Sequence, residues 1–93
     1  MDFSSKAVVA GSDSKNDLKI TLEVGGSGRH VEIQSRVQEK FGEAIREDVI
    51  TILDEYQIKD VQVLVEDLGA LDYAVKARVE TAVKRALYGQ KEG

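Results

Sequence analysis

The stretch DLKITLEV at residues 17–24 alternates polar and apolar side chains without a break. A period of two places all the apolar side chains on one face of an extended chain, which is typical of a half-buried β-strand. These inward residues are Leu18, Ile20, Leu22 and Val24. This is the clearest strand in the sequence, and the other elements are placed around it.

A glycine-rich turn follows this strand. Gly25-Gly26-Ser27-Gly28 breaks the alternation, which resumes over residues 29–34 with Val31 and Ile33 on the inward side. We predict that the two strands form a hairpin. A phosphate-binding glycine loop is followed at once by a helix with Lys and Ser or Thr in register. A strand follows here, so we interpret residues 25–28 as a turn.

Two helices and two more strands complete the pattern. Apolar residues at steps of three and four predict amphipathic helices from Ser35 to about Gln57 and from Ala70 to about Tyr88. Ser35 and Gln38 have the spacing of a capping box at the first of them. Residues 61–66 are a convincing strand, and residues 6–10 are a short candidate strand.

The predicted order is β-β-β-α-β-α. Such an order indicates an α+β fold, a two-layer sandwich in which two helices cover one face of a mostly antiparallel sheet. At 93 residues the chain is expected to be one domain, 1–93, with an ordered core of about 6–88.

Composition excludes several classes of function. A net charge of -4 argues against nucleic-acid binding, and no apolar run approaches the roughly 18 residues of a membrane span. The first residues lack a signal peptide's apolar segment, so we expect a cytoplasmic location. With no cysteine, the chain has no thiolate metal site and no catalytic thiol of its own.

No catalytic or metal site is predicted. His30 is the one histidine, and it opens a strand, which favours a surface position over a base or a ligand. Asp67 and Asp72 flank Gly69 and could pair as acid and base. We favour structural positions for both, Asp67 in a turn and Asp72 in the first turn of a helix, where a carboxylate complements the helix dipole.

A polar loop precedes the clearest strand. Residues 10–17 read AGSDSKND, a composition that favours turns and that offers the hydroxyls of Ser12 and Ser14 on a segment outside the core. These serines either shape the turn or serve as attachment points for another group.

Three stretches together resemble one known family. DLGALDYAVKAR at residues 67–78, FGEAIR at 41–46 and AVVAGS at 7–12 are similar in order and spacing to motifs of the citrate lyase acyl carrier protein, the γ subunit of that complex. The resemblance covers roughly residues 6 to 87.

The resemblance implies a single acyl carrier domain with no chemistry of its own. In that family a loop serine is joined through a phosphodiester to phosphoribosyl dephospho-coenzyme A, whose thiol bears acetyl and citryl thioesters. An attachment enzyme adds this arm. The implied partners are the α subunit, an acyl transferase, and the β subunit, a lyase, which together cleave citrate to oxaloacetate and acetate.

The polar loop at residues 10–17 departs from the family pattern. A gapless match places Lys15 where the modified serine belongs, and a shift of one residue places Ser14 there, after the acidic Asp13. We predict attachment to Ser14, with Ser12 as the alternative, because Ser14 is nearer the tip of the loop. The competing hypothesis is an interaction or assembly module of the same fold that lacks the arm.

Overall fold

A computed structural model describes residues 3–11, 18–35, 39–67 and 72–89. The elements follow the predicted order: β1 (Val8–Gly11), β2 (Leu18–Val24), β3 (Arg29–Ser35), α1 (Glu39–Glu55), β4 (Val61–Asp67) and α2 (Asp72–Tyr88). The α+β fold is confirmed. The capping box predicted at Ser35 and Gln38 includes Gln38, which lies outside the described residues.

The four strands form one mixed sheet in the order β1-β2-β4-β3. β1 and β4 each pair antiparallel with β2, whereas β3 and β4 are parallel. The sheet is therefore mostly antiparallel, as predicted. Its single parallel pair arises because α1 carries the chain back over the sheet between β3 and β4, and parallel neighbours need such a crossover.

The predicted hairpin of β2 and β3 is wrong, because β4 lies between these two strands. Val24 at the end of β2 and Arg29 at the start of β3 both align with Val61 of β4. The central place suits β4, since Val61, Val63 and Val65 are all fully buried. A strand with this much apolar surface gains most from neighbours on both sides.

The connection between β2 and β3 crosses the start of β4 and is bonded to it. The Gly25 amide donates to the Asp60 carbonyl at 2.8 Å, and the Val61 amide donates to the Gly28 carbonyl at 3.0 Å. The Gly28 amide also donates to Asp60 Oδ1 at 2.8 Å. These bonds satisfy backbone groups that a tight hairpin turn would have paired within itself.

The core lies between one face of the sheet and the two helices, so the prediction that both helices cover one face is confirmed. Leu18, Ile20 and Leu22 of β2 are fully buried, whereas Val24 at the strand end is 40% exposed. Val31 and Ile33 of the outer strand β3 are partly buried and pack against the core. The helical members of the core are Ile45, Val49, Ile52 and Leu53 from α1 and Val75, Val79, Ala82 and Val83 from α2.

Candidate functional site

Residues 12–17, which we call the serine loop, lie between two described residues, Gly11 and Leu18. Gly11 ends β1 and aligns with Lys19, the second residue of β2. The six residues between them, 12–17, include Ser12 and Ser14, so both predicted attachment serines lie outside the described residues. The antiparallel pairing nevertheless holds the two ends of this segment side by side at one end of the sheet.

We call this end of the sheet the loop end and define it by Gly11, Leu18, Ser35 and Asp67. Leu18, Asp67 and Ser35 align across three neighbouring strands. Because α1 follows β3 and α2 follows β4, both helices begin on this side of the molecule. The amide-rich N-termini of helices carry partial positive charge, and here both lie on the side of the molecule that holds Asp67.

Asp67 contributes a buried carboxyl group to the loop end. It was expected in a turn, but it is the last residue of β4 and is only 5% exposed. β4 extends to Asp67 because this residue still has Leu18 and Ser35 as strand neighbours. Asp72 begins α2, in agreement with its expected place in the first helical turn. Sequence reasoning missed the burial of Asp67, which only strand alignment reveals.

Gly11 has a backbone that only glycine adopts without strain. Its φ is +91°, and a Cβ built on it would lie 1.8 Å from the Leu18 carbonyl oxygen. An L-residue is disfavoured there both by the dihedral angle and by the collision. Gly11, just before the serine loop, is therefore held close to Leu18, just after it.

Arginines from the helices reach both outer strands. Arg85 Nη1 of α2 donates to the Val9 carbonyl of β1 at 2.6 Å. Arg46 Nη1 of α1 donates to the Val31 carbonyl of β3 at 3.0 Å. Their strand partners become visible only in the folded chain.

The end of the sheet opposite the loop end holds a third arginine, Arg29. Its Nε and Nη2 donate to the Ile58 carbonyl at 2.9 and 2.7 Å, and Nη2 forms an ion pair with Asp54 Oδ1 at 2.9 Å. Arg29 and Asp54 line an open cavity of about 560 Å³ together with Gln57 and Lys59. Because the guanidinium bonds the end of α1, we interpret this cluster as structural.

Two side chains on other parts of the surface have shifted pKa values. The Ser4 hydroxyl and amide donate to the Glu23 carboxylate and lower its pKa below 4.5. Partial burial raises the pKa of Tyr56, and the hydrogen bond from its hydroxyl to Glu80 Oε2, at 3.0 Å, acts in the same direction. Neither group lies at the loop end.

His30, the one histidine, lies on the surface of the folded chain. His30 is exposed, and its Nε2 lies 3.0 Å from the Ser27 carbonyl, to which a protonated ring nitrogen donates. Within residues 3–11, 18–35, 39–67 and 72–89 there is no cluster of three or more His, Asp or Glu side chains suited to a metal ion. In the same ranges, no helix is both long and apolar enough to cross a membrane.

Comparison with known proteins finds similarity to subunits of two enzymes, malonate decarboxylase and citrate lyase. A family model described as "Malonate decarboxylase delta subunit" matches residues 5–86. The citrate lyase acyl carrier protein of Weissella paramesenteroides is 40% identical over 82 residues, which are 88% of this chain and 84% of that protein. That of Halothermothrix orenii is 35% identical over 83 residues, 89% of this chain and 88% of that protein.

Similarity extends to a further relative and to one solved structure. The citrate lyase acyl carrier protein of Vibrio cholerae is 41% identical over 78 residues, 83% of this chain and 80% of that protein. A chain in the crystal structure of a Pseudomonas malonate decarboxylase hetero-tetramer in complex with malonate superimposes with a TM-score of 0.61. That chain is 19% identical, and the match covers 86% of this chain and 82% of that one, so it shows the shared fold.

Proposed function

Because this chain belongs to the citrate lyase acyl carrier protein family, we propose that it is the acyl carrier of a citrate lyase and that Ser14 holds the arm. Members of the family are acyl carriers, non-catalytic subunits with a covalently attached prosthetic group. The observation that carries the proposal is 35–41% identity to citrate lyase acyl carrier proteins over more than four-fifths of the chain.

The proposed arm is phosphoribosyl dephospho-coenzyme A. When attached, it would supply the thiol to which acetyl and citryl groups bind during cleavage of citrate to oxaloacetate and acetate, since the chain has no cysteine. The described residues fit such an arm in one respect: Gly11, the last residue before the serine loop, is exposed, so the loop starts at the surface.

The chain's own contribution is to hold and present the arm. The paired strands β1 and β2 fix both ends of the serine loop, and tethering keeps the acyl group at high effective concentration near the partner subunits. Under this proposal the partners are the lyase α and β subunits and the attachment enzyme, in the cytoplasm.

Ser14 is preferred over Ser12 because of its distance from the fixed strand ends. Ser12 directly follows Gly11, whose backbone is held against Leu18. Ser14 is the third of the six loop residues and is separated from both strand ends by at least two residues. The attachment enzyme must reach its serine hydroxyl, and reach improves with distance from the sheet.

Intact mass measurement and peptide mapping test the attachment. The chain is co-expressed with the attachment enzyme and its arm precursor, and the variants Ser14→Ala and Ser12→Ala are treated in the same way. We expect the added mass in the unsubstituted chain and in Ser12→Ala, and its loss in Ser14→Ala. An arm on Ser12 would contradict the residue assignment.

The mass of the chain in its complex and the dependence of citrate cleavage on Ser14 separate the carrier from an assembly module. Lys15 occupies the family's serine position in a gapless match, which is the observation that favours a module without the arm. Both functions predict one complex on size exclusion. The complex is isolated from the native host, and the mass of this chain is measured in it. A chain without added mass in such a complex would support the module. Citrate cleavage that depends on Ser14 would support the carrier.

A further inference from the structure

One face of the sheet is left uncovered by the described elements. Both helices contribute to the core on the opposite face, where Leu18, Ile20 and Leu22 are fully buried. Side chains alternate along a strand, so the residues between these point away from the helices. We call this surface the open face and define it by ten residues, each at least partly exposed: Val9 of β1, Lys19, Thr21 and Glu23 of β2, Gln62, Leu64 and Glu66 of β4, and His30, Glu32 and Gln34 of β3.

The middle row of the open face carries apolar side chains. Val9 of the outer strand β1 aligns with Thr21, and Thr21 aligns with Leu64 of the central strand β4. Val9 is 40% exposed, and Leu64 is partly exposed. Neither of these two side chains belongs to the hydrophobic core, so packing within the domain does not account for their apolar character.

Polar rows flank this apolar row on both sides. The row towards the loop end consists of Lys19, Glu66 and Gln34, and the row away from it consists of Glu23, Gln62 and His30. Glu32 aligns with Leu64 at the β3 end of the apolar row and accepts a hydrogen bond from Gln34 Nε2 at 3.0 Å. An apolar centre within a polar rim is the usual arrangement of a protein–protein interface.

The open face has an excess of negative charge. It holds three glutamates, Glu23, Glu32 and Glu66, and one lysine, Lys19, which leaves two negative charges when His30 is neutral. Charge complementarity therefore favours a partner surface that presents Lys or Arg side chains around an apolar centre. It disfavours a second copy of this chain, because two open faces placed together would bring like charges into contact.

We propose that the open face docks this chain on a basic protein surface of a larger subunit of the lyase. This inference rests on the proposed function and adds to it the surface through which the chain meets its partner. The apolar row of Val9 and Leu64 supplies the centre of the contact. The glutamates of the rim select a partner of positive charge.

The size of the open face fits a contact that forms and separates readily. Neighbouring strands lie about 4.8 Å apart and alternate residues of a strand about 6.6 Å apart, so the ten residues cover on the order of 400 Å². A stable interface buries about 800 Å² on each partner. The contact therefore belongs to the weak and transient class, which a carrier that passes an acyl group between two subunits requires.

Two substitutions test the rim and the centre of the open face, each with a matched control elsewhere. Glu32→Lys reverses a charge on the open face, and Glu47→Lys makes the same change on the exposed surface of α1. Leu64→Gln removes an apolar side chain from the open face, and Leu87→Gln does so at an exposed position of α2. Because glutamine already occupies two positions of the open face, Leu64→Gln is expected to fold.

The test measures the dissociation constant Kd of each chain for the separately purified α and β subunits by isothermal titration calorimetry. Circular dichroism first confirms that every variant is folded. We expect Glu32→Lys and Leu64→Gln each to raise Kd for at least one subunit by about tenfold. The two controls should stay within about twofold of the unsubstituted chain. Added salt should weaken binding of the unsubstituted chain more than that of Glu32→Lys.

Unchanged Kd values in Glu32→Lys and Leu64→Gln would overturn this inference alone, provided that the unsubstituted chain accepts the arm and supports citrate cleavage. Equal weakening in Glu47→Lys would also overturn it, because the charge that matters would then not belong to the open face. Self-association of the unsubstituted chain that both open-face variants abolish would show that a second copy is the occupant, against the proposal. If the unsubstituted chain accepts no arm and binds neither subunit, the proposed function fails, and this inference with it.

Discussion

Glu23 shows how one side chain orders the segment before β1. Its carboxylate accepts hydrogen bonds from the Ser4 amide, at 2.9 Å, and from the Ser4 hydroxyl. Ser4 in turn accepts from the Lys6 amide at its Oγ and from the Ala7 amide at its carbonyl. The exposed residues 4–6 are therefore tied to β2 through one carboxylate, whose charged form makes these bonds stronger than neutral ones.

Removal of the Ser4 hydroxyl should raise the pKa of Glu23. Hydrogen bonds to the carboxylate lower its pKa in the folded chain below 4.5. The stability that these bonds give the folded chain is therefore present above pH 4.5 and is lost as the pH falls through the lowered pKa. In Ser4→Ala we expect the pKa to move back towards 4.5, measured by NMR titration of the Glu23 carboxyl carbon. The neighbouring Ser5→Ala is the control, and identical Glu23 titrations in Ser4→Ala and the unsubstituted chain would refute this.

The end of α1 is defined by a left-handed residue that is not glycine. Gln57 has a φ of 58°. Its amide donates to the Asp54 carbonyl at 3.0 Å, and the Ile58 amide donates to the Leu53 carbonyl at 2.9 Å. This is the pattern of a Schellman motif, completed by the burial of Ile58. The turn brings the chain from α1 to the start of β4.

Gln57→Gly should stabilise the protein. A left-handed conformation costs an L-residue about 1–2 kcal/mol, and glycine at this position removes that cost. The greater freedom of glycine in the unfolded chain destabilises the folded state by about 0.5–1 kcal/mol and offsets part of the gain. We expect a net increase of about 0.5–1 kcal/mol in the free energy of unfolding, measured by urea denaturation. Lys59→Gly, two residues away and without a positive φ, should instead destabilise, and a loss of stability in Gln57→Gly would show that the helix end is not strained.

Across the whole molecule, each outer strand of the sheet accepts a hydrogen bond from an arginine of one helix. β1 and β3 are the edges of the sheet, and exposed edges are templates for pairing with other chains. Arg85 occupies the Val9 carbonyl on one edge, and Arg46 occupies the Val31 carbonyl on the other. Each helix therefore both covers the core and blocks one hydrogen-bonding position on an edge.

The double variant Arg46→Ala, Arg85→Ala should self-associate more strongly than the unsubstituted chain. Its two freed carbonyls can accept hydrogen bonds from another strand, so we expect larger species in sedimentation velocity as the concentration rises. Lys84→Ala is the control. Lys84 is exposed on α2, and its Nζ lies 3.6 Å from Oε2 of Glu80 in the same helix, so its ion pair is within α2 and not with an outer strand. If the sedimentation of the double variant matched that of the control at every concentration, the arginines would have no such protective role.

The sequence by itself determined the order of the elements and the inward face of most of β2. Leu18, Ile20 and Leu22 are buried as their alternation predicts, because strand periodicity is a property of neighbouring residues. The motifs at residues 7–12, 41–46 and 67–78 also identified the family. The serines of the predicted attachment site were found in the same way, although their assignment stays a prediction.

Only the tertiary structure decided which strands are neighbours. Alternation shows which side of a strand is apolar, but it does not show which distant segment pairs with its edge, so β4 between β2 and β3 was not predicted. The burial of Asp67, the partners of Arg46 and Arg85, and the close approach of Gly11 to Leu18 all depend on that pairing. Each arises from contacts between residues that the chain brings together only when it folds.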